Sequence, residues 1–267
     1  MQKPINEHMK QPLHICIDDR GVCWLTLNRP HCANALDSDL VQQLSAALAR
    51  IRCDSSMRLL ILSGQGEVFC SGADLQSMQQ LAAADMGVNQ SDAFELALLL
   101  EDLASLPVPT LARINGAAFG GGIGLIAACD IAIASNAASF AFSEVRLGLV
   151  PAVIAPYAIA AIGLRQARRW FLSGERFDGE QALAMGLLHQ LVSNDELDDA
   201  VEQQIKLLLK GGPQSQGQAK QLLNEWLKSS PVAKEDTAEL LADIRASGEG
   251  REGIDAFLAK RKPGWLP

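Results

Sequence analysis

The sequence predicts an α/β protein with a helical appendage, on three observations. Short apolar strand-like segments alternate with helix-period segments from residue 13 to about residue 192. Beyond Asp195 only helix-period segments recur. Between these limits, a buried-strand pattern at Thr110–Ile114 runs through a glycine-rich turn into a short apolar helix. Alternation on this scale points to crossover connections and a largely parallel sheet.

In chain order, Leu13 to Ile17 and Val22 to Leu27 read as strands joined by the turn signal Asp18-Asp19-Arg20-Gly21, a hairpin. Asp37 is placed to cap a helix running to about Arg52, with Leu40, Leu44, Leu48 and Ile51 on one face. Leu59 to Leu62 is a short strand that Ser63-Gly64-Gln65-Gly66 interrupts. The small and polar residues from Ala82 to Ser91 predict a surface loop, and a helix follows from Phe94 to Leu106, stopped by Pro107 and Pro109. Strand Thr110–Ile114, helix Gly121–Ala128, strand Ile131–Ala134 and a short strand near Phe140–Phe142 come next. After Pro151 helices are expected over 153–162, 165–173 and 179–185, then a strand at Leu188–Val192. The remaining helices are broken at Gly211-Gly212-Pro213 and Ser229-Ser230-Pro231. These patterns divide the chain into a core at 1–194 and a helical region at 195–267, whose exposed amphipathic helices suit packing on a neighbouring subunit.

Composition narrows the function. With 267 residues, 48% hydrophobic and 20% charged, the chain can bury one large core. A net charge of −8 argues against nucleic acid as a partner, since only Arg165/Arg168/Arg169 and Lys260-Arg261-Lys262 are dense basic clusters. The six cysteines show no CxxC spacing, as expected of a reducing cytoplasm, and the four histidines are too scattered to predict a metal site. Met1 to Pro12 lacks the apolar stretch of a secretion signal. The uncharged runs Leu147 to Leu164 and Ile114 to Cys129 are broken by proline or glycine, so no membrane span is expected.

The informative stretch is Asn115-Gly116-Ala117-Ala118-Phe119-Gly120-Gly121-Gly122-Ile123-Gly124. Each glycine at a helix start costs about 1 kcal/mol against alanine, which calls for a compensating reason. Close approach of a ligand to free backbone N–H groups, where the helix dipole favours negative charge, supplies one. Together with Cys70-Ser71-Gly72-Ala73-Asp74-Leu75, the pattern suggests two backbone donors aimed at one oxygen, an oxyanion hole. A dinucleotide fingerprint is also satisfied at Gly122 to Ala127. The next strand, however, ends at Ser135-Asn136 where a ribose-binding acid is wanted, and the helix is short for a crossover, so no nicotinamide cofactor is expected.

Further along, Leu27-Asn28-Arg29-Pro30 with Asn34-Ala35-Leu36, Phe69 through Leu75, Pro109-Thr110 through Gly122, Cys129-Asp130-Ile131 and Ser143-Glu144-Val145-Arg146-Leu147-Gly148 stand in order along the chain. With Gly186-Leu187-Leu188 to Val192 and the tail Phe257 to Lys262, they resemble the crotonase family of enoyl-CoA hydratases and isomerases over nearly the whole chain. The resemblance implies a spiral of ββα turns, a C-terminal helical trimerisation region giving a homotrimer or a dimer of trimers, and acyl-CoA thioester substrates with no separate cofactor. It implies that the N–H groups of Ala73 and Gly121 hold the thioester oxygen and that Glu144 is the acid or base. It places Ala33, Ala35, Ser71, Gly72, Ala73, Asp74, Leu75, Gly120 and Gly121 against the coenzyme A and acyl chain, and Lys260 near a coenzyme A phosphate.

One position departs from the family pattern. Two-carboxylate hydratases of the family carry a glutamate where this chain has Gly124. A double-bond isomerase needs a single carboxylate, so Gly124 suits isomerisation at least as well as hydration. The run from Ser143 to Pro156 nevertheless most resembles a bacterial branch assigned to 3-methylglutaconyl-CoA hydration, which also carries glycine there and would place the chain in fatty-acid or leucine breakdown. Hydration of a short or branched enoyl-CoA is the favoured expectation. Isomerisation, or acyl-CoA binding without catalysis, stays open beside it. If the acyl group is dicarboxylic, Arg146 is the candidate cation for its free carboxylate.

Overall fold

The structure, a computed structural model, describes residues 11–228, 247–249, 251, 252, 256 and 259–265. Strands β1 (Leu13–Ile17) and β2 (Val22–Leu27) form the expected antiparallel hairpin, with Leu13 opposite Leu27 and Ile17 opposite Cys23. Asp37 then caps helix α1 (Ser38–Cys53), its Oδ1 accepting from the Leu40 N–H at 2.9 Å. Leu40, Leu44, Leu48 and Ile51 are all buried along one face, so truncating a leucine here should cost about 2–5 kcal/mol.

Three ββα turns follow. In the first, β3 (Leu59–Gly64) and β4 (Val68–Cys70) lead to α2 (Leu75–Ala83) and α3 (Met86–Ala104). The second is β5 (Thr110–Ile114), β6 (Ala117–Phe119) and α4 (Gly121–Ala128). The third is β7 (Ile131–Ser135), β8 (Ser139–Ala141) and α5 (Ala155–Ser173). The long strand of each turn joins a six-stranded sheet in the order β1-β2-β3-β5-β7-β10, where β10 is Gln190–Val192 and every pairing after the hairpin is parallel. The short strands build a second sheet, β4-β6-β8 parallel, closed by β9 (Phe177–Asp178) running antiparallel. This is the spiral that the resemblance implied.

Helices α1, α3, α4 and α5 pack into one hydrophobic cluster that includes Leu25, Leu60, Leu62 and Ala112 of the large sheet. Val22, Leu59, Ile61, Leu111 and Ile133 form a second cluster with Leu197, Ala200, Val201 and Ile205 of α7 (Leu197–Leu208). Between α5 and α7 lies α6 (Gly179–Ala184). Helix α8 (Pro213–Lys228) is anchored by Lys220, only 8% exposed, whose Nζ sits 2.7 Å from Asp130 Oδ2. Among the described residues no helix is long and apolar enough to cross a membrane.

Several expectations are corrected. The segment 82–91 is not a loop but the junction of α2 and α3 and the first turns of α3. Its polar residues cap helices: Asp85 accepts from the Val88 N–H at 3.0 Å, and Asn89 Nδ2 donates to the Leu81 carbonyl at 2.6 Å. Strand β3 continues through Ser63 and Gly64, which pair with Thr26 and Leu27, and the Ser63 hydroxyl donates to the Arg113 carbonyl. The two helices expected at 153–162 and 165–173 are present: α5 (Ala155–Ser173) consists of two helical segments that meet at Gly163, whose φ +75° and ψ 154° are not helical. The break at Ser229–Pro231 lies outside the described residues, as do residues 257 and 258 of the matched tail.

Candidate active site

Two turns from different ββα units meet at the start of α4. In one, Gly120 leaves β6 at φ +47°, a conformation that favours glycine. Its carbonyl accepts from the N–H groups of Ile123 at 2.9 Å and Gly124 at 3.2 Å. A trans peptide is planar, so the Gly121 N–H in the same unit points the opposite way, out of the helix end. In the other turn, the Gly72 carbonyl accepts from the Leu36 N–H at 2.8 Å, and the Asp74 N–H donates back to the Leu36 carbonyl at 2.9 Å. The Ala73 N–H, sharing a peptide with that Gly72 carbonyl, therefore points away from Leu36.

The turns touch. A Cβ at position 72 would lie 3.5 Å from the Gly121 nitrogen and 2.9 Å from the Phe119 carbonyl oxygen, and Gly72 itself takes φ +91°. Any other residue would push the loops apart. Among the described residues, neither the Ala73 nor the Gly121 N–H donates to a protein acceptor. The pair gives two main-chain donors, one at a helix N-terminus where negative charge is favoured.

Glu144 completes the constellation. It starts the 3-10 turn Glu144–Leu147, which ends at Gly148 with φ +72°. Its carboxyl group lies on Gly120: a Cβ at position 120 would meet Glu144 Oε1 at 3.1 Å. Glu144 Oε2 is buried without a hydrogen-bond partner. Burial pushes this carboxyl group's pKa up from its ordinary 4.5, and a hydrogen bond from its own backbone N–H offsets only part of the rise. Leaving such an oxygen unsatisfied costs about 1–3 kcal/mol, which marks the group as a candidate for proton transfer.

One helical turn beyond Gly120 stands Gly124. A Cβ there would lie 2.4 Å from Ile154 Cγ2 and 3.5 Å from Leu100 Cδ1. The space in front of position 124 is filled with hydrocarbon from the start of α5 and from α3.

The other sequence-derived candidates separate into two groups. Within Ser71–Leu75, Gly72 lies against the Phe119–Gly121 turn, and the Ser71 N–H is bound to the Ala33 carbonyl at 3.0 Å. Asp74 caps α2 through Oδ1, and Leu75 is its first residue. The N–H groups of Ala33 and Ala35 are taken by the Pro30 and Cys32 carbonyls, and the Ala35 carbonyl accepts from the Arg29 guanidinium. Lys260, at φ +53°, is exposed in the turn after Ala256, and among the described residues no contact joins it to the site. Arg146 is exposed, with its side chain against Gly174. Two surface hollows of about 140 and 270 Å³ lie between β1 and α1 and include none of these residues.

Sequence reasoning missed three contributors. Asn34 is buried at φ +55°, and its Nδ2 donates to the carbonyls of Gln65 and Val68, pinning the 33–36 turn to the core. Its readiness for the left-handed region was the available signal. Arg29 clasps the same turn from outside. Ile154 reaches Gly124 across 30 positions of sequence, which no local pattern announces.

Comparison with known proteins gives a consistent result. The enoyl-CoA hydratase/isomerase family model matches residues 18–266. Mouse mitochondrial methylglutaconyl-CoA hydratase is 32% identical over 257 residues, covering 94% of this chain and 81% of that protein. The 1,2-epoxyphenylacetyl-CoA isomerase of Escherichia coli is 31% identical, covering 92% of this chain and 95% of that protein. The crystal structure of an enoyl-CoA hydratase from Shewanella pealeana superposes with a TM-score of 0.91 at 40% identity, covering 96% of each chain.

Proposed function

Because the chain belongs to the enoyl-CoA hydratase/isomerase family, we propose that it adds water across the 2,3 double bond of a short or branched enoyl-CoA. The thioester oxygen sits between the N–H groups of Ala73 and Gly121. Water attacks carbon 3, its oxygen forming the new bond while Glu144 takes the released proton. The double-bond electrons move onto the thioester oxygen, where the two donors stabilise the enolate. Glu144 then delivers its proton to carbon 2, and the sum is one added water. Each backbone donor of this kind typically lowers a barrier by about 3–4 kcal/mol.

The observation that supports this most is the Glu144 carboxyl group, whose Oε1 lies on Gly120 and whose Oε2 is buried without a partner, together with two unused N–H groups. A desolvated carboxyl group whose pKa is raised by burial serves as base and acid in turn. 3-Methylglutaconyl-CoA is the substrate we favour, after the relative whose name carries that activity; Arg146 is then the candidate for its distal carboxylate. Assembly as a trimer or a dimer of trimers through the region after residue 195 belongs to the same proposal.

A second reading has its own support. The hydrocarbon around Gly124 leaves no room for a carboxylate there, so that this reading uses Glu144 alone, and one carboxylate suffices to move a proton between carbons 2 and 4. Product mass separates the readings when crotonyl-CoA, 3-methylglutaconyl-CoA and 3-enoyl-CoA thioesters are supplied. Gain of one water supports hydration, whereas an isobaric product at a new retention time replaces it with isomerisation. Binding without conversion of any substrate overturns both in favour of a silent acyl-CoA-binding protein.

A further inference from the structure

We propose that Arg29 is a positioning residue for the oxyanion-hole donor at Ala73. The inference rests on the reading above, in which Ala73 and Gly121 receive the thioester oxygen, and adds what aims the first of them.

The direction of the Ala73 N–H is set by the hydrogen bond from Leu36 to the Gly72 carbonyl in the same peptide. Leu36 therefore acts as the aiming strut. It is held in place by a turn with two successive left-handed residues, Ala33 at φ +54° and Asn34 at φ +55°, a conformation that needs outside support. Asn34 supplies it on the core side. Arg29 supplies it on the other. Its Nη1 donates to the Ala35 carbonyl, the residue before Leu36. Its Nη2 lies 2.6 Å from Asp37 Oδ2, the residue after Leu36, and 3.6 Å from Asp74 Oδ2, the residue after Ala73.

Both carboxylates divide their oxygens in the same way. Oδ1 of Asp37 caps α1 and Oδ1 of Asp74 caps α2, while each Oδ2 faces Arg29. One guanidinium thus brackets the Leu36–Ala73 bridge at both ends. With its side chain only 15% exposed, the charge is shielded from competing water. Its fixed fork reaches one carbonyl and two carboxylates spread over two loops, which an ammonium group cannot span.

These contacts also hold the fold, so the test needs a readout that stability alone does not move. The probe is butyryl-CoA labelled with 13C at the thioester carbonyl, a saturated ligand that neither hydrates nor isomerises. Its bound carbonyl stretch reports polarisation by the two donors. In the wild-type protein the stretch should fall relative to free ligand. In Arg29→Met the shift should shrink to less than half, with kcat on an enoyl-CoA down by about ten- to a hundredfold and KM within about threefold. Arg29→Lys should recover part of each. Asp37→Asn keeps a helix-capping side chain and loses the ion pair, so it carries the test if Arg29→Met does not fold, with a smaller shift loss expected.

A folded Arg29→Met or Asp37→Asn protein with the full wild-type carbonyl shift overturns the proposal, whatever happens to kcat. Absence of any shift in the wild-type protein removes the oxyanion hole itself, and Arg29 with it. Wild-type polarisation together with a loss specific to these variants sustains both.

Discussion

Positions 120 and 124 stand one turn apart at the start of the same helix, and the two sides of the site differ there in kind. Beside Gly120 lies a carboxyl group, and the glycine is what makes room for it. Beside Gly124 lies the side chain of Ile154, pressed so close that even a methyl group would collide. One wall holds a carboxyl group and the other is closed by hydrocarbon. The lack of a second glutamate is therefore more than a missing residue: the packing of α5 on α4 has closed the space that such a residue would need. On the proposed reading the chemistry rests on Glu144, because the packing around position 124 leaves no room for a side chain there.

The comparison can be broken most severely at position 124. Gly124→Glu forces a charge into hydrocarbon at a contact of 2.4 Å, and the variant should lose folded protein or at least about 3 kcal/mol in urea unfolding. Gly124→Ala is a subtler case. In an ordinary helix interior it would add about 1 kcal/mol of stability, yet here it should destabilise by about 1–3 kcal/mol. Ile154→Ala removes the colliding methyl group and should cost about 2–5 kcal/mol alone, through the cavity it leaves. In the Gly124→Ala background it should cost less, with a coupling of about 0.5–3 kcal/mol in a double-mutant cycle. Additive effects would mean that the two residues do not compete for space.

The smallest effect belongs to the other wall. A carboxyl group whose pKa is raised on folding binds more protons in the native state, so its contribution to stability falls as pH rises. Glu144→Gln should therefore be more stable than wild type at neutral pH. The gap should narrow as pH falls through the raised pKa of Glu144 and close below its ordinary value of 4.5. A pH-independent gap in thermal unfolding would contradict burial as the cause.

Local signals carried much of this protein and long-range packing carried the rest. The hairpin, the Asp37 cap, β5 and α4 were readable because each depends on neighbours within a few residues. Of the second sheet only β8 was, near Phe140–Phe142, since strands of two or three residues such as β4, β6 and β9 have too few positions to show a period. The 82–91 segment misled because Asp85 and Asn89 look like loop residues until their side chains are seen capping helices. At the site, Gly72, Gly120 and Gly121 were legible as glycines awaiting a reason. That reason, a carboxylate on one and a facing loop on another, comes from contacts 24 to 49 positions away. Arg29 sat within a recognised motif, yet its reach to Asp74 spans 45 positions and only the folded chain reveals it.

The most direct measurement is turnover by Glu144→Gln, with enoyl-CoA as substrate and butyryl-CoA affinity measured alongside. Glutamine keeps the size of the side chain and cannot carry the proton. The expected result is a fall in kcat of about a hundredfold or more, with butyryl-CoA bound as tightly as by wild type. Turnover within twofold of wild type would show that the carboxyl group of Glu144 is not the acid of this site.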